Sequence, residues 1–504
     1  MNRNKNQSNN KSIATSILDS NMLFVMIPIV FVLLYPMVAE FFNGMSKTIV
    51  EMLLYVIIFL SVVFIIIKYP MDKSNMILTI FIIGTVLRIS YTFYTSIYTR
   101  QHDVESVDSF GHLSYIMTIY QNHKLPDSNN WQFYQPPLHH IISALWLGYM
   151  NIWGIPTELA LESLSVLTLI YSVLTMIVIY KILKLFKLSD KALTFAYMLI
   201  VLHPTFIILS GSVNNDMLGL FLQLLTILYI LKWCISLQST DIVLTAIFLA
   251  FSALTKISSL MLALPIGFIF LAKLLDKNRK IWTSTLWGQY TTFAFISIPI
   301  ALSHSIYSMI RFNQPLGYVP MPGDETSPIF VGNHSFVDRF IKPFGNTFFH
   351  DIFPNVGENY NLPEYIIKNS LFNEYSFGGK EIIAIFLIFM NIILVIISLY
   401  AMIMVALSFR DGVKKNLQIP VISMYILWLT LMISHVTFNI KFPFACTMDF
   451  RYIVPTLLTG ALFLGLFFDE SKKHKPELSL YFNKLAPAYI TIFSSLSVIF
   501  YIFG

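Results

Sequence analysis

Residues 99–140 read TRQHDVESVDSFGHLSYIMTIYQNHKLPDSNNWQFYQPPLHH. Three carboxylates, Asp103, Glu105 and Asp108, stand within six residues at its start, and the cluster Tyr134-Gln135-Pro136-Pro137-Leu138-His139-His140 closes it. The sequence on either side is hydrocarbon-compatible, so a polar island lies between apolar segments. How the chain leaves that island, through the apolar residues 138–153, sets the sidedness of everything downstream.

Working outward, the chain has 504 residues, 56% of them hydrophobic and only 12% charged. Soluble domains carry roughly 25% charged residues, so about half the usual polar surface is missing. Apolar runs of about 17–25 residues recur, each long enough to cross a hydrocarbon layer of ~30 Å as a helix. A bilayer offers backbone groups no water, so such runs must be helical. The fold class is therefore an all-α polytopic membrane protein. Candidate spans fall near 22–42, 47–67, 76–97, 162–183, 191–210, 216–234, 240–255, 258–275, 285–308, 381–407, 417–437, 451–468 and 486–503, about thirteen in all. The polar, basic N-terminal segment precedes a run holding Pro28 and Pro36 and lacking a small-x-small cleavage site, which reads as a first membrane helix rather than a removed signal. Cys234 and Cys446 give neither a disulfide framework nor metal-ligand spacing. The net charge of +6 is small for this length and lies mostly in short loops, which reads as topology and not as a nucleic-acid surface.

Lys and Arg clusters fix the orientation. Placing those before residue 22 and those around 68–73, 181–191, 273–280, 410–415 and 472–475 in the cytoplasm requires an internal N-terminus and an odd number of spans. Counting residues 138–153 as a span would invert that pattern. Its sixteen residues also suit an interfacial helix, so it and residues 110–122 are placed as two juxtamembrane helices at the outer face, the second capped by Asp108 or Ser109. The segments that follow are 1–75, a tail with two extra membrane helices; 76–308, a membrane module carrying the outer loop 98–161; 309–380, an outer loop or lid; and 381–504, the C-terminal membrane helices. A structureless connector as long as 309–380 suggests a binding element.

Under this topology, chemistry-bearing residues from distant segments gather on one face. His102, Asp103, Glu105 and Asp108 suit deprotonation of a hydroxyl or a divalent cation, and equally a solvated acidic loop. His112 lies just beyond them, and Tyr134, Gln135, His139 and His140 suit a sugar or phosphate, or simply a rigid helix entry. Asn214, Asn215 and Asp216 open a span, as hydroxyl-binding amides with an acid or as ordinary turn and cap chemistry. Lys256 joins two short apolar runs where it can hold a lipid phosphate or snorkel. Arg451 can hold a phosphate or pair with Asp449. Arg88, inside the third span, needs a partner facing the bundle interior or must lie close to the outer interface. Arg339, Lys342 and His350 in the long loop are weaker candidates of the same kind.

An acid after an early span, a short juxtamembrane helix, an aromatic-Gln-Pro-Pro-Leu element, Asn-Asn-Asp at a span entry, Leu-Thr-Lys at a hinge and a late Arg-Tyr-x-x-Pro together resemble the GT-C superfamily of integral-membrane glycosyltransferases. The closest likeness is to the bacterial group of protein O-mannosyltransferases and lipid A aminoarabinose transferases, over about residues 76–470. The resemblance implies an inverting enzyme that moves a sugar from a polyprenyl-phosphate carrier to an envelope acceptor (glycan, lipid or protein) on the outer face of the cell membrane. It puts Asp103 at the first-loop catalytic base, ahead of Asp108 and Glu105, Asp216 at the second-loop acid, and Lys256 and Arg451 at the carrier phosphate. The sequence shows no metal triad, so no cofactor is implied, although the acids can hold a divalent cation. Two rival readings are a lipid-linked glycan transporter or flippase and a surface-polysaccharide polymerase or ligase.

Overall fold

The computed structural model describes residues 18–42, 76–104, 109–277, 281–342, 348, 351–355, 358–474 and 476–502. The expected span 47–67, the N-terminal basic residues, Glu105, Asp108 and His350 lie outside the described residues.

The chain is a multi-pass helical membrane protein. Among the described residues, eight helices are long and apolar enough to cross a membrane, or nine if one bent pair counts as a single span. The helix Ser239–Thr255 is shorter than a full crossing, and Pro455–His474 ends in the charged run Asp469-Glu470-Ser471-Lys472-Lys473. In the middle sits Leu164–Leu185, whose apolar residues are buried on all sides, as expected for a helix hydrophobic all round. It packs against Met76–Tyr94, Asp216–Ser236 and Leu23–Phe42. Outer helices such as Thr283–Phe312 and Glu381–Leu407 turn side chains like Phe295, Ile396 and Leu407 outward, where lipid replaces water.

One interior feature explains the bent pair. Pro204 brings no N–H, and the residue before it, His203, is extended (φ −71°, ψ 134°), so the helix Asp190–Val201 stops and the chain resumes at 54° to it. The break frees the Val201 carbonyl, which accepts from Arg88 Nη2 at 2.9 Å. Arg88 also donates to Ser172 Oγ (2.8 Å) and to the Gly84 carbonyl (3.0 Å). The interior partner that Arg88 required is thus a set of neutral oxygens. Close approach here needs Gly84, because a Cβ would lie 2.5 Å from Val201 Cγ1.

The 99–140 island folds into two packed helices, His112–Asn122 and Leu138–Ile152. The first starts two residues later than expected and is not capped by Ser109: Gly111 is the N-cap, with no side-chain cap bond. The Asp103 and Val104 carbonyls do that work, accepting from His112 N (2.8 Å) and Leu113 N (3.3 Å). The long loop is pinned rather than free. Val331 N donates to the Pro443 carbonyl (2.9 Å) and Ala445 N to the Ile329 carbonyl (2.8 Å), and the loop's own helix Leu362–Phe372 is mostly buried.

Candidate active site

Four helix–loop junctions meet at one end of the bundle. Asp103 follows Met76–Tyr94, Asp216 opens Asp216–Ser236, Lys256 follows Ser239–Thr255, and Arg451 lies in a tight turn just before Pro455–His474. Side chains sew the junctions together. Gln101 donates to the Gly211 carbonyl (2.8 Å) and accepts from Val213 N (2.9 Å), tying the first loop to the second. Asn214 Nδ2 donates to Asp216 Oδ2 (2.9 Å), while its Oδ1 accepts from Asp216 N (3.0 Å). Asn215 Nδ2 reaches the Thr255 carbonyl (2.7 Å) and Gln135 Oε1 (3.3 Å).

Asp103 sits in the left-handed region (φ +51°), which an Asp tolerates better than most residues. That turn brings its carbonyl over the start of His112–Asn122 and its carboxylate toward Arg451. Gly111 permits the approach, since a Cβ there would lie 2.5 Å from the Val104 oxygen and 2.8 Å from the Asp103 oxygen.

The charges form one chain. Lys256 Nζ binds Asp216 Oδ1, and Arg451 Nη1 lies 3.3 Å from Asp216 Oδ2. Arg451 Nη2 lies 3.4 Å from Asp103 Oδ2, and its Nε 3.4 Å from Asp449 Oδ2. The Tyr452 ring faces both cations, 4.8 Å from Lys256 Nζ and 5.2 Å from the Arg451 guanidinium carbon. His102, buried, holds Nδ1 2.8 Å from Glu374 Oε1 and Nε2 3.5 Å from Asp449 Oδ2. Burial disfavours the imidazolium, but the Glu374 and Asp449 carboxylates together outweigh it and raise His102 above its ordinary value. In return His102 overcomes the burial of Glu374 and holds its carboxyl down at about 2. Burial pushes Asp449 the other way, upward.

Most of these groups, though not His102 or Asp449, border a cavity of about 500 Å³. Its charged end carries Asp103, Asp216, Lys256, Glu374 and Arg451; its other walls include Met261, Leu431, Phe438 and Ile453, with Val319 and Pro320 from the long loop. Of the residues singled out in the sequence, His112, Tyr134, Gln135 and Asn215 also line it. His102, His139, His140 and Asn214 stand behind the wall: His139 Nε2 meets the Val213 carbonyl at 2.7 Å, and His140 Nε2 meets His112 Nδ1 at 2.9 Å. Both readings of Arg451 hold at once, since it pairs with Asp449 and also faces the cavity. Lys256 is ion-paired rather than snorkelled. Arg339 and Lys342 are engaged elsewhere, with the Asn439 carbonyl (2.8 Å) and Asp338 respectively.

Sequence reasoning passed over Glu374 and Tyr375, used Tyr452 only as part of the Arg-Tyr-x-x-Pro element, and gave Asp449 only the part of an arginine partner. Glu374 does carry one signal, an acid just ahead of a span entry at Glu381. His102, Glu374 and Asp449 together offer three metal-capable atoms within 4.8 Å of one another. One nitrogen and two carboxylate oxygens suit a divalent cation. As the side chains stand, both His102 nitrogens are turned to carboxylates.

No family model matches the chain, and no curated protein does. Among solved structures, it matches the archaeal oligosaccharyltransferase AglB from Archaeoglobus fulgidus, solved in complex with an inhibitory peptide and a dolichol-phosphate. The TM-score is 0.53 at 12% sequence identity, over 86% of this chain and 56% of that one. A second structure of the Archaeoglobus fulgidus oligosaccharyltransferase, tethered with an acceptor peptide, gives a TM-score of 0.47 at 13% identity, over 85% and 55%. The chain therefore spans about half the length of the enzyme it matches.

Proposed function

We propose, for a chain with the GT-C fold of that oligosaccharyltransferase, that it is an inverting glycosyltransferase whose donor is a sugar on a polyprenyl phosphate. A glycosyltransferase of this class agrees with the fold. The single observation that carries the finer reading is the convergence of Asp103, Asp216, Lys256 and Arg451, from four distant segments, on one cavity that also has apolar walls. The matched archaeal structure holds a dolichol-phosphate, a ligand with the same phosphate-and-lipid character.

The roles follow from what each group already holds. Asp216 is 3% exposed and bound by both cations, so its carboxylate is occupied in orienting them. Asp103 is 27% exposed and has a single, longer ion pair, which leaves it free to take a proton. Lys256 and Arg451 then hold the donor phosphate, and the apolar wall takes the first isoprene units. An acceptor hydroxyl oxygen attacks the anomeric carbon on the face opposite the phosphate. The new C–O bond forms as the bond from that carbon to the phosphate oxygen breaks; the electron pair leaves with the polyprenyl phosphate, stabilised by the two cations, and the hydroxyl proton passes to Asp103. By the positive-inside pattern the site opens on the outer face, with an envelope glycan, lipid or protein as acceptor.

The test separates the two roles. Asp103→Asn is expected to lower transfer by about 10²–10⁴-fold with donor-lipid binding retained. Lys256→Gln is expected to weaken that binding by about ten-fold, as loss of a charge-assisted contact does. Full transfer by Asp103→Asn in reconstituted membranes removes Asp103 from the mechanism.

A further inference from the structure

The helix Gln418–Lys441 turns one face to the cavity, and that face is not uniformly apolar. Leu431, Ser434, His435 and Phe438 all line the cavity, at the i, i+3, i+4, i+7 spacing of a single helical stripe. His435 lies in the middle of the stripe and is 2% exposed. Both of its ring nitrogens, Nδ1 and Nε2, are buried, and neither has a hydrogen-bond partner among the described residues. The Met448 carbonyl acts on the ring but falls outside hydrogen-bond geometry. Among the described residues the histidine–carboxylate pairs are those of His102, so an imidazolium at 435 has no counter-ion there. A polar side chain buried in an apolar span without a partner is costly, and it marks a place where a ligand supplies one.

The ligand chemistry follows without fixing the proton. Either neutral tautomer of an imidazole presents one N–H donor and one bare nitrogen. A hydroxyl matches both, accepting from the N–H or donating to the bare nitrogen, whereas an isoprene unit matches neither. The position is equally specific. The His435 and Tyr452 ring centres are 6.3 Å apart, and Lys256 Nζ lies 4.8 Å from the centre of the same Tyr452 ring. The imidazole and the phosphate-holding cation are thus one aromatic ring apart, within the span of a single glycosyl phosphate. We infer that His435 is a binding residue for a carbohydrate hydroxyl, set between Leu431 and Phe438 where the wall that takes isoprene units is interrupted. A hydroxyl of the donor sugar and one of a carbohydrate acceptor offer it the same chemistry. This deepens the donor reading above and rests on it.

The test measures binding of farnesyl phosphate, its mannosyl, glucosyl and N-acetylglucosaminyl phosphodiesters, and the corresponding methyl glycosides to the full chain in nanodiscs. The readout is the affinity advantage of the best-bound glycosylated lipid over the bare lipid, a ratio that does not depend on how much of each variant folds. His435→Phe keeps a ring beside Tyr452 and removes both nitrogens. It is expected to cut that advantage about five-fold, the worth of one hydrogen bond, with farnesyl phosphate itself bound as before. His435→Asn and His435→Gln place an amide near the Nδ1 and Nε2 positions respectively, each with a donor and an acceptor. One of the two is expected to restore the advantage. Restoration by neither assigns the loss to ring packing and overturns the inference. An equal loss for the bare lipid also overturns it, because the contact is then with phosphate or isoprene. A loss confined to the methyl glycosides supports the hydroxyl contact and assigns it to the acceptor. No effect of His435→Phe on either the glycosylated lipids or the methyl glycosides sinks the inference outright. Farnesyl phosphate binding that survives Lys256→Gln defeats the phosphate reading, while the His435 comparison on methyl glycosides stands or falls by itself.

Discussion

At the residue scale, the network is held by a histidine that the chain could have used otherwise. His102 sits between Glu374 and Asp449, and Asp449 in turn holds Arg451 Nε at 3.4 Å. Because folding raises His102 above its ordinary value of 6.5, its stabilising contribution is complete below that pH and is lost as pH rises through the folded value. Glu374 has the opposite sign: held down at about 2 from an ordinary 4.5, it contributes fully above 4.5 and loses that contribution as pH falls toward 2. The pair is thus most stabilising between those ordinary values. Thermal unfolding in detergent micelles across pH is expected to show a falling alkaline arm that His102→Gln flattens; equal arms in both proteins would exclude a charged bridge. From the sequence, His102 reads as part of an acidic loop beside Asp103. Its partners stand 272 and 347 positions away and, without the fold, nothing local connects them. By contrast, Asp103, Asp216, Lys256 and Arg451 are legible because each is a charge that breaks an apolar pattern at a span end.

At the scale of elements, what the sequence shows well is punctuation. Pro204 ends one helix and tilts the next, and Pro136-Pro137 open Leu138–Ile152, both by the loss of N–H groups and a fixed φ. The cap of His112–Asn122 is less legible, because backbone carbonyls provide it: Asp103 must first turn left-handed, and no residue pattern announces that. Gly111 is the position on which this geometry depends. An added Cβ would meet two backbone oxygens, which yield only if the 103–104 segment moves, and Asp103 moves with it. Misplacing a reacting group by about 1 Å costs on the order of 10²-fold. Gly111→Ala is therefore expected to lower transfer at least ten-fold while expression and melting stay near those of the unaltered protein. A variant that melts early would show instead that the junction supports the whole bundle.

Over the whole molecule, sidedness is an expectation from the charges along the chain, and convergence follows from packing. The positive-inside pattern predicts loops 98–161, 309–380 and 438–450 on one face, and the fold brings Asp103 of the first within 3.4 Å of Arg451, just past the last. The pattern cannot show that the long loop lines the cavity. That depends on the pairing of Ile329 and Val331 with residues 443–445, a contact between segments more than a hundred positions apart. Nor does composition settle the number of crossings, since Ser239–Thr255 is shorter than a full crossing by length and yet returns the chain from Ser236 to the Lys256 junction beside Asp216. Orientation itself is open to direct measurement. Lys124, on the site-bearing loop, is 58% exposed, and Lys277 is an exposed residue just past Ala263–Leu275, the helix that runs on from the Lys256 junction. In a Cys446→Ser background, with Cys234 buried, a membrane-impermeant thiol reagent on intact cells is expected to label Lys124→Cys and to reach Lys277→Cys only after lysis. Labelling in the reverse order would put the acids, the arginine and the cavity in the cytoplasm. The donor sugar would then have to be presented from the inner leaflet, so the same geometry would serve transfer to a cytoplasmic acceptor.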